Sequence, residues 1–146
     1  MATLNAIDPT AAQIKAFLAH EKAGEPVYML NLLKFKKRAS YSDKDTNPDN
    51  DVSGEVAYGR YAQAFGKLMR EKDIGFESRF AGNLNAMLIG QDIEAAQWDK
   101  IAIAKYPNAA MMFECVSSEA YRKIYYHRKA GLEGQLLISC SAEKVF

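Results

Sequence analysis

The sequence predicts an α+β fold, in which one four-stranded antiparallel sheet carries helices on one of its two faces. Two long segments place apolar side chains at helical spacing, and four others have the apolar runs or the alternation of strands. After one additional N-terminal helix, these elements follow one another in the order β-α-β-β-α-β. The 146 residues, 49% of them hydrophobic, suffice for one core, so we expect a single domain over residues 1–146.

The first 24 residues are expected to form a helical extension of this domain. A capping residue and a proline at 8–10 are a helix-start signal, and Gly24 followed by Pro26 ends the element. Three apolar side chains between these signals share one helix face: Ile14, Phe17 and Leu18.

The first strand is predicted at 27–36, where the sequence reads VYMLNLLKFK. One amide, Asn31, interrupts this apolar run, and a buried amide costs a few kcal/mol unless its polar atoms find hydrogen-bond partners. Asn31 therefore either bonds to the backbone of a neighbouring loop or faces a polar cavity as a binding residue, and both alternatives stay open.

Residues 37–57 are predicted to form a long mobile loop. The stretch is polar, rich in Asp, Asn and Ser, and has almost no apolar side chain to anchor it in a core. Loops of this length inside a compact domain are usually functional lids or disordered segments. The composition favours disorder, with a lid as the alternative.

The first long helix of the repeating pattern is predicted over 58–72. Six side chains recur there at helical spacing: Tyr58, Tyr61, Ala62, Phe65, Leu68 and Met69. A strand follows over 77–90, where apolar or small side chains from Phe76 to Leu88 occupy every second position and would share one face.

The third strand, predicted over 98–106, indicates a cavity. One of its faces carries Trp98, Lys100, Ala102, Ala104 and Tyr106. The other face carries Ile101 and Ile103, which we expect to pack under the helices. The two alanines leave a gap between Trp98 and Tyr106, which is either the floor of a ligand cavity or a space filled by a partner's side chain.

The remaining helices carry recognisable capping signals. Asn108 caps a short helix, and Ser118 caps a longer one, which has Glu119 near its positive end and Gly131 as its C-terminal cap. The final strand is predicted over about 135–145 from its alternating apolar side chains.

This order of elements is the split β-α-β pattern called ferredoxin-like. With two helices on one face of four strands, the other face stays bare, and an apolar face of that size needs a cover. A second copy of the same sheet is the simplest cover. We therefore expect a homodimer that forms through the sheet faces.

Three blocks of the chain resemble one family: NLLKF at 31–35, WDKIAIAKYPN at 98–108 and AYRKIYYHRKAGL at 120–132. Together they are similar to the small dimeric α/β-barrel proteins grouped as domain-of-unknown-function family 1330, over about residues 27–140. The most specific feature is a strand ending in Tyr-Pro-Ser or Phe-Pro-Ser, and Asn108 replaces that serine here. The resemblance implies a ferredoxin-like fold that dimerises into a barrel, and it implies no particular activity.

The second long helix supplies the candidate catalytic residues. Tyr121, Ile124, Tyr125 and Arg128 fall at i, i+3, i+4 and i+7 and share a stripe. Arg128 matches the family's helix arginine, and its planar guanidinium suits a carboxylate or enolate oxygen. The alternative is an ion pair with Glu77 or Glu119, or a bond to a backbone carbonyl. His127 could act as a base near neutral pH, although it points about 100° away and such histidines are usually at the surface.

The composition excludes several classes of protein. A formal net charge of +1 provides no concentrated basic surface for nucleic acid. We expect no signal peptide and no membrane span, because no apolar stretch approaches the roughly 20 residues that cross a bilayer. Cys115 and Cys140 stand in no metal or redox spacing and are expected as free thiols in the cytoplasm. No metal or nucleotide motif is present, so we expect no cofactor.

These features favour a cytoplasmic homodimer that binds a small, mostly apolar, oxygen-bearing organic molecule. An enzyme of this kind would be a cofactor-free oxygenase or isomerase, in which Arg128 or Asn31 stabilises an enolate oxygen. His127, Tyr58 or Tyr121 would then move protons. The alternative is a non-catalytic ligand-binding or structural homodimer. Haem binding is disfavoured, since His127 would be its only plausible axial ligand.

Overall fold

The computed structural model describes residues 7–45, 49–90 and 98–143, which form one antiparallel sheet with helices on one face. The helices are α1 (Ala11–His20), α2 (Gly54–Lys72), α3 (Ala109–Val116) and α4 (Glu119–Gly131). The strands are β1 (Val27–Phe35), β2 (Glu77–Asn83), β3 (Lys100–Tyr106) and β4 (Leu132–Cys140). The strand order β2-β3-β1-β4, with antiparallel neighbours throughout, is the predicted ferredoxin-like topology.

The N-terminal helix is shorter than predicted and lightly attached. Thr10 and Gln13 form a capping box, so α1 begins after Thr10, and it ends at His20 rather than near Gly24. None of its ten residues is buried. Its apolar stripe reaches the rest of the protein mainly through Phe17, whose ring meets the Phe113 ring edge-on at 5.7 Å.

Capping side chains also set the starts of the other helices. Asn108 and Ser118 cap α3 and α4 as predicted, each accepting a hydrogen bond from a backbone N–H of the first turn. Ser53 caps α2 in the same way, so this helix begins four residues earlier than the predicted start at 58.

The segment between β1 and α2 carries two buried anchors, contrary to the sequence-based expectation. Ala39 and Tyr41 are only 4% and 6% exposed, and they pack in a small cluster with Ala57 and Ala130. The expectation of a segment without anchors is therefore wrong. Its mobility stays a prediction, and the part at 46–48 lies outside the described residues.

The register of β3 reverses the predicted roles of its two faces. Ala102 and Ala104 pair with Asn31 and Met29 of β1, on the face that packs against the helices. Ile103 belongs to the opposite face with Ile101, so the expectation that the isoleucines lie under the helices is wrong. The small alanines are placed where bulky aromatic side chains from the helices approach the sheet.

A β-bulge in β2 breaks the alternation predicted over 77–90. Ser78 pairs with Ala104, but Phe80 pairs with Ile103, so the register shifts between the two residues. Phe80 therefore points to the face away from the helices, where it is 55% exposed. The strand ends at Asn83 rather than at 90.

The sheet face opposite the helices is largely apolar. Pairing places on it Tyr28, Leu30, Leu32, Phe80, Ile101, Ile103, Leu136 and Ile138. Two of them, Phe80 and Ile138, are large apolar side chains that are 55% and 48% exposed. We call these eight residues the bare face.

A close crossing of α2 and α4 requires two glycines. A Cβ added to Gly131 would lie 2.4 Å from the carbonyl oxygen of Gly54, and one added to Gly54 would lie 2.5 Å from that of Gly131. Gly131 is thus needed for this approach, and the predicted role as a C-terminal cap is wrong, because Leu132 holds that position and begins β4 at once. The crossing fixes α4, and with it Arg128, against the sheet.

Candidate functional site

A cavity of about 790 Å³ lies between the helix-covered face of the sheet and the helices, including α1. Its volume falls within the range of about 300–1,000 Å³ that is usual for small-molecule sites. The wall is mostly aromatic and aliphatic, with side chains from every helix and from β1, β3 and β4. Ala104 and Tyr106 line it on the sheet side, where the sequence predicts a cavity floor.

The cavity brings together five of the seven predicted site residues: Asn31, Tyr58, Tyr106, Tyr121 and Arg128. Trp98 is buried but lies outside the cavity wall, because β3 begins only at Lys100 and Trp98 precedes it. His127 also lies outside the wall. The structure therefore separates Trp98 and His127 from the residues with which the sequence analysis grouped them.

A row of three polar side chains crosses the apolar wall. Arg128 Nη2 donates to Gln135 Oε1 at 2.5 Å, and Gln135 Nε2 donates to Asn31 Oδ1 at 2.7 Å. Asn31 Nδ2 in turn donates to the carbonyl oxygens of Met29 and Ala102, both at 3.2 Å. Asn31 thus lines the cavity, but its backbone partners lie on β1 and β3 rather than on the neighbouring loop that the sequence analysis named, and its role in binding stays a prediction. The row fixes the orientation of Arg128.

The segment before α1 closes this row at its other end. Arg128 Nη2 also donates to the Ile7 carbonyl oxygen, and Arg128 Nη1 lies 3.6 Å from Asp8 Oδ1. The Tyr125 hydroxyl donates to the same Asp8 carboxylate, while the Arg128 guanidinium lies 5.5 Å from the centre of the Tyr125 ring. Arg128 therefore has the carbonyl bond that the sequence analysis weighed against a ligand role, but its ion pair is with Asp8 and not with the predicted Glu77 or Glu119.

Burial holds three tyrosines of the cavity wall, Tyr58, Tyr61 and Tyr106, as neutral phenols. Burial raises the pKa of Tyr58 to about 12, although the charge of Arg128 opposes this rise. Burial also raises the pKa of Tyr61 well above its usual value, and the pKa of Tyr106 rises for the same reason. Tyr61 and Tyr121 share a hydrogen bond of 3.1 Å between their hydroxyl oxygens. These groups can donate hydrogen bonds to a ligand, but Tyr58 is poorly suited to accept a proton at neutral pH.

His127 belongs to a separate network on the segment between β1 and α2. Its Nδ1 lies 2.7 Å from the Tyr41 hydroxyl, to which Arg60 also donates at 3.2 Å. Arg60 is paired with Asp49. Two effects lower the pKa of His127, of which burial is the larger and the nearby positive charge of Arg60 is the smaller. This geometry gives His127 a structural role that joins α4 to the segment.

Apart from tyrosines, sequence reasoning assigned no site role to five polar or ionisable residues of the cavity wall: Asp8, Gln13, His20, Gln135 and Ser139. Gln135 did carry a signal, because like Asn31 it is a single amide in an apolar strand. Placing the strand start at 135 instead of at Leu132 hid that signal. Asp8 and His20 reach the cavity only through the position of α1, which no local pattern specifies.

Two kinds of feature are missing from the part of the chain that the structure describes. No group of three or more His, Cys, Asp or Glu side chains is placed to hold a metal ion. No helix in the same part is long and apolar enough to cross a membrane.

Comparison with known proteins finds no matching family model and no matching curated protein. Among solved structures, RPA0582 of Rhodopseudomonas palustris, a protein of unknown function, has 32% sequence identity and a TM-score of 0.79, covering 94% of this chain and 97% of that one. The methylated form of RPA0582 gives 31% identity and a TM-score of 0.81, with 98% of each chain covered. At3g17210 of Arabidopsis thaliana, at 11% identity and a TM-score of 0.50 over 82% of this chain and 98% of that one, shares the fold alone. The resemblance to domain family 1330 stays a prediction.

Proposed function

We propose that this chain, which belongs to the family of the Rhodopseudomonas palustris protein RPA0582, is a homodimer whose cavity binds a small, mostly apolar organic molecule. The ligand would be held by one oxygen-bearing group at Arg128 and by apolar contacts elsewhere. Since RPA0582 is itself described as a protein of unknown function, the proposal is argued from the cavity.

The observation that carries the proposal is a buried guanidinium in the wall of an aromatic cavity. Arg128 is the one buried charged residue of the described chain, and the cavity beside it has room for a small ligand. A mostly apolar wall with a few convergent polar groups is typical of small-molecule sites. The row through Gln135 and Asn31 holds the guanidinium in place before any ligand arrives, which lowers the ordering cost of binding.

The second candidate function is cofactor-free oxygenase or isomerase chemistry in the same cavity. Arg128 could stabilise a developing oxyanion, as the sequence analysis proposes. Of the three residues predicted to move protons, His127 lies outside the wall and Tyr58 is held neutral, whereas Tyr121 lines the cavity. Asp8 and His20, both contributed by the N-terminal segment, are further candidates among the described wall residues. Ligand binding is the function that the geometry favours.

The homodimer is supported by the bare face. Its apolar side chains lie on all four strands, and a contiguous exposed patch of this kind is typical of an interaction surface. At one edge Lys105 pairs with Glu77 at 3.3 Å, and at another Lys34 lies 3.7 Å from Glu133. A second copy of the sheet would meet an apolar centre with charged borders, as is usual in protein interfaces. We propose the cytoplasm as its location because Cys115 and Cys140 are free thiols.

The experiment is a thermal-shift screen followed by calorimetry on the wild type and two arginine variants. The panel contains aromatic and medium-chain acids, amides, alcohols and phenols. We expect at least one compound to stabilise the wild type and the variant Arg122→Met, but not Arg128→Met. Arg122 is a matched control, because it is an exposed arginine of the same helix that bonds only to a nearby carbonyl in the described structure. A compound that stabilises Arg128→Met as well as the wild type would contradict the assigned site.

A further inference from the structure

We infer that the ligand of this cavity is an organic carboxylate, and that the Asp8 side chain occupies its position on Arg128 in the free protein. The inference rests on the proposed function of the same cavity and names the chemical class of its ligand. It starts from the oxygen atoms that surround the guanidinium.

The N-terminal segment presents two oxygen atoms to Arg128, one from the Ile7 carbonyl and one from the Asp8 carboxylate. A ligand carboxylate presents two oxygen atoms to a guanidinium in a similar way, because the planar fork of N–H groups accepts both of them. Ile7 and Asp8 therefore satisfy the guanidinium as a bound acid would.

The ion pair between Asp8 and Arg128 is unequal in its exposure. The Arg128 side chain is 11% exposed, whereas the Asp8 side chain is 60% exposed and the charged atoms stand 3.6 Å apart. A buried cation gains most from a close partner that is buried with it, while a pair open to water and at this distance contributes little. A carboxylate that enters the cavity would compensate Arg128 better than Asp8 does.

The charges of the wall favour a monoanion. Arg128 is the only arginine or lysine among the described wall residues, and Asp8 is the only carboxylate among them. Once Asp8 moves away, the cavity holds one unpaired positive charge, with the Tyr125 hydroxyl released from Asp8 and free to donate to the ligand. The aromatic and aliphatic remainder of the wall suits an apolar tail on the acid.

The segment that carries Asp8 is suited to displacement. No residue of α1 is buried, and its principal described contacts with the core are the Phe17–Phe113 ring pair and the bonds of Ile7 and Asp8 to α4. Elements with few buried apolar contacts open at low free-energy cost. An entering acid would replace the polar attachment, and the ring pair would keep α1 beside the cavity.

The test is calorimetric titration with two matched pairs of probes, 3-phenylpropionate with 3-phenylpropanamide and octanoate with octanamide. Each pair keeps the apolar tail and replaces the carboxylate head group with a neutral amide of nearly the same size, in which an NH2 group stands in place of one oxygen. For the wild type we expect the acid to bind roughly tenfold more tightly than its amide. The variant Arg128→Gln should reduce that ratio to about one, with the amides affected little.

The variant Asp8→Asn tests whether Asp8 occupies the ligand's position, since it keeps the shape of the side chain and removes its charge. We expect Kd for both acids to fall by roughly three- to fivefold, the effect of a weak competing ion pair, while Kd for the amides stays unchanged. Glu25→Gln is the control. It removes one negative charge from an exposed residue that follows α1 and lies outside the cavity wall, so it should leave all four Kd values unchanged.

The outcomes separate a failure of the carboxylate inference from a failure of the proposed function. Acids and amides that bind the wild type equally would overturn the carboxylate inference and leave the proposed function standing. Unchanged acid affinity in Asp8→Asn, or an equal gain in Glu25→Gln, would overturn the role of Asp8. Failure of all four probes to bind would count against both the inference and the proposed function.

Discussion

The crossing of α2 and α4 gives the sharpest stability prediction, because a single methyl group at Gly54 or Gly131 has no room. An added Cβ at Gly131 would stand 2.4 Å from the Gly54 carbonyl oxygen and 2.7 Å from the Tyr58 backbone nitrogen. Both are backbone atoms of a packed helix, so relief requires the two helices to separate. Overpacking typically costs about 1–3 kcal/mol, and we expect Gly131→Ala to cost at least 3 kcal/mol because the clash is with backbone.

Two other glycines of α2 provide matched controls for the same substitution. A Cβ at Gly59 would meet no atom within 4 Å, and one at Gly66 would meet only the end of a flexible arginine at 3.4 Å. Alanine is favoured over glycine inside a helix by about 0.5–1 kcal/mol, so Gly59→Ala and Gly66→Ala should stabilise the protein by that amount.

These differences can be measured by urea unfolding at a fixed protomer concentration, with Trp98 fluorescence and circular dichroism as the two signals that monitor unfolding. The concentration is fixed because the stability of a dimer depends on it. We expect Gly131→Ala and Gly54→Ala to lower the free energy of unfolding, and the two control variants to raise it. A Gly131→Ala protein as stable as the wild type would refute the close crossing and the placement of Arg128 that depends on it.

Three further predictions concern His127, the segment before α2 and the bare face. Because the pKa of His127 is lowered in the folded state, the unfolded state binds more protons, so this residue's stabilisation is complete above pH 6.5 and is lost as the pH falls from there through the folded pKa. In His127→Gln the urea midpoint should therefore depend less on pH across that range. A pH dependence equal to that of the wild type would contradict this. Tyr41→Ala should lower the free energy of unfolding by about 3 kcal/mol, because it removes a buried ring. A loss below about 0.5 kcal/mol would instead support the original prediction that the segment has no anchor in the core. Ile103→Asp puts a charge on the bare face and should convert the dimer into a monomer, as measured by light scattering. The control variant Leu18→Asp, at an exposed position of α1, should leave the dimer intact. A wild-type protein that is itself a monomer would refute the dimer.

The sequence was sufficient where a local pattern is tied to one structural element. Helical spacing placed Tyr121 and Arg128 on one stripe, and both line the cavity. The interruption of an apolar strand by Asn31 located the sheet side of the same cavity. The capping signals at Asn108 and Ser118 marked the starts of both C-terminal helices, because a cap needs only neighbouring residues.

The sequence was insufficient where a residue's position depends on its partner in space. The bulge before Phe80 is visible only once β2 pairs with β3, and it moves that ring to the other face of the sheet. Strand periodicity separates the two faces of β3 but does not tell which one the helices cover, so the isoleucines were assigned to the wrong face. The contact of Asp8 with Arg128 spans the whole domain, and no spacing rule links them.

The cavity's role in binding is tested most directly by a crystal structure of the protein grown with 3-phenylpropionate. We predict the ligand inside the cavity, its carboxylate oxygens about 2.7–2.9 Å from the Arg128 guanidinium nitrogens, and the Asp8 carboxylate displaced from Arg128. A ligand bound elsewhere on the molecule, with the cavity empty and the pair of Asp8 with Arg128 intact, would contradict the account.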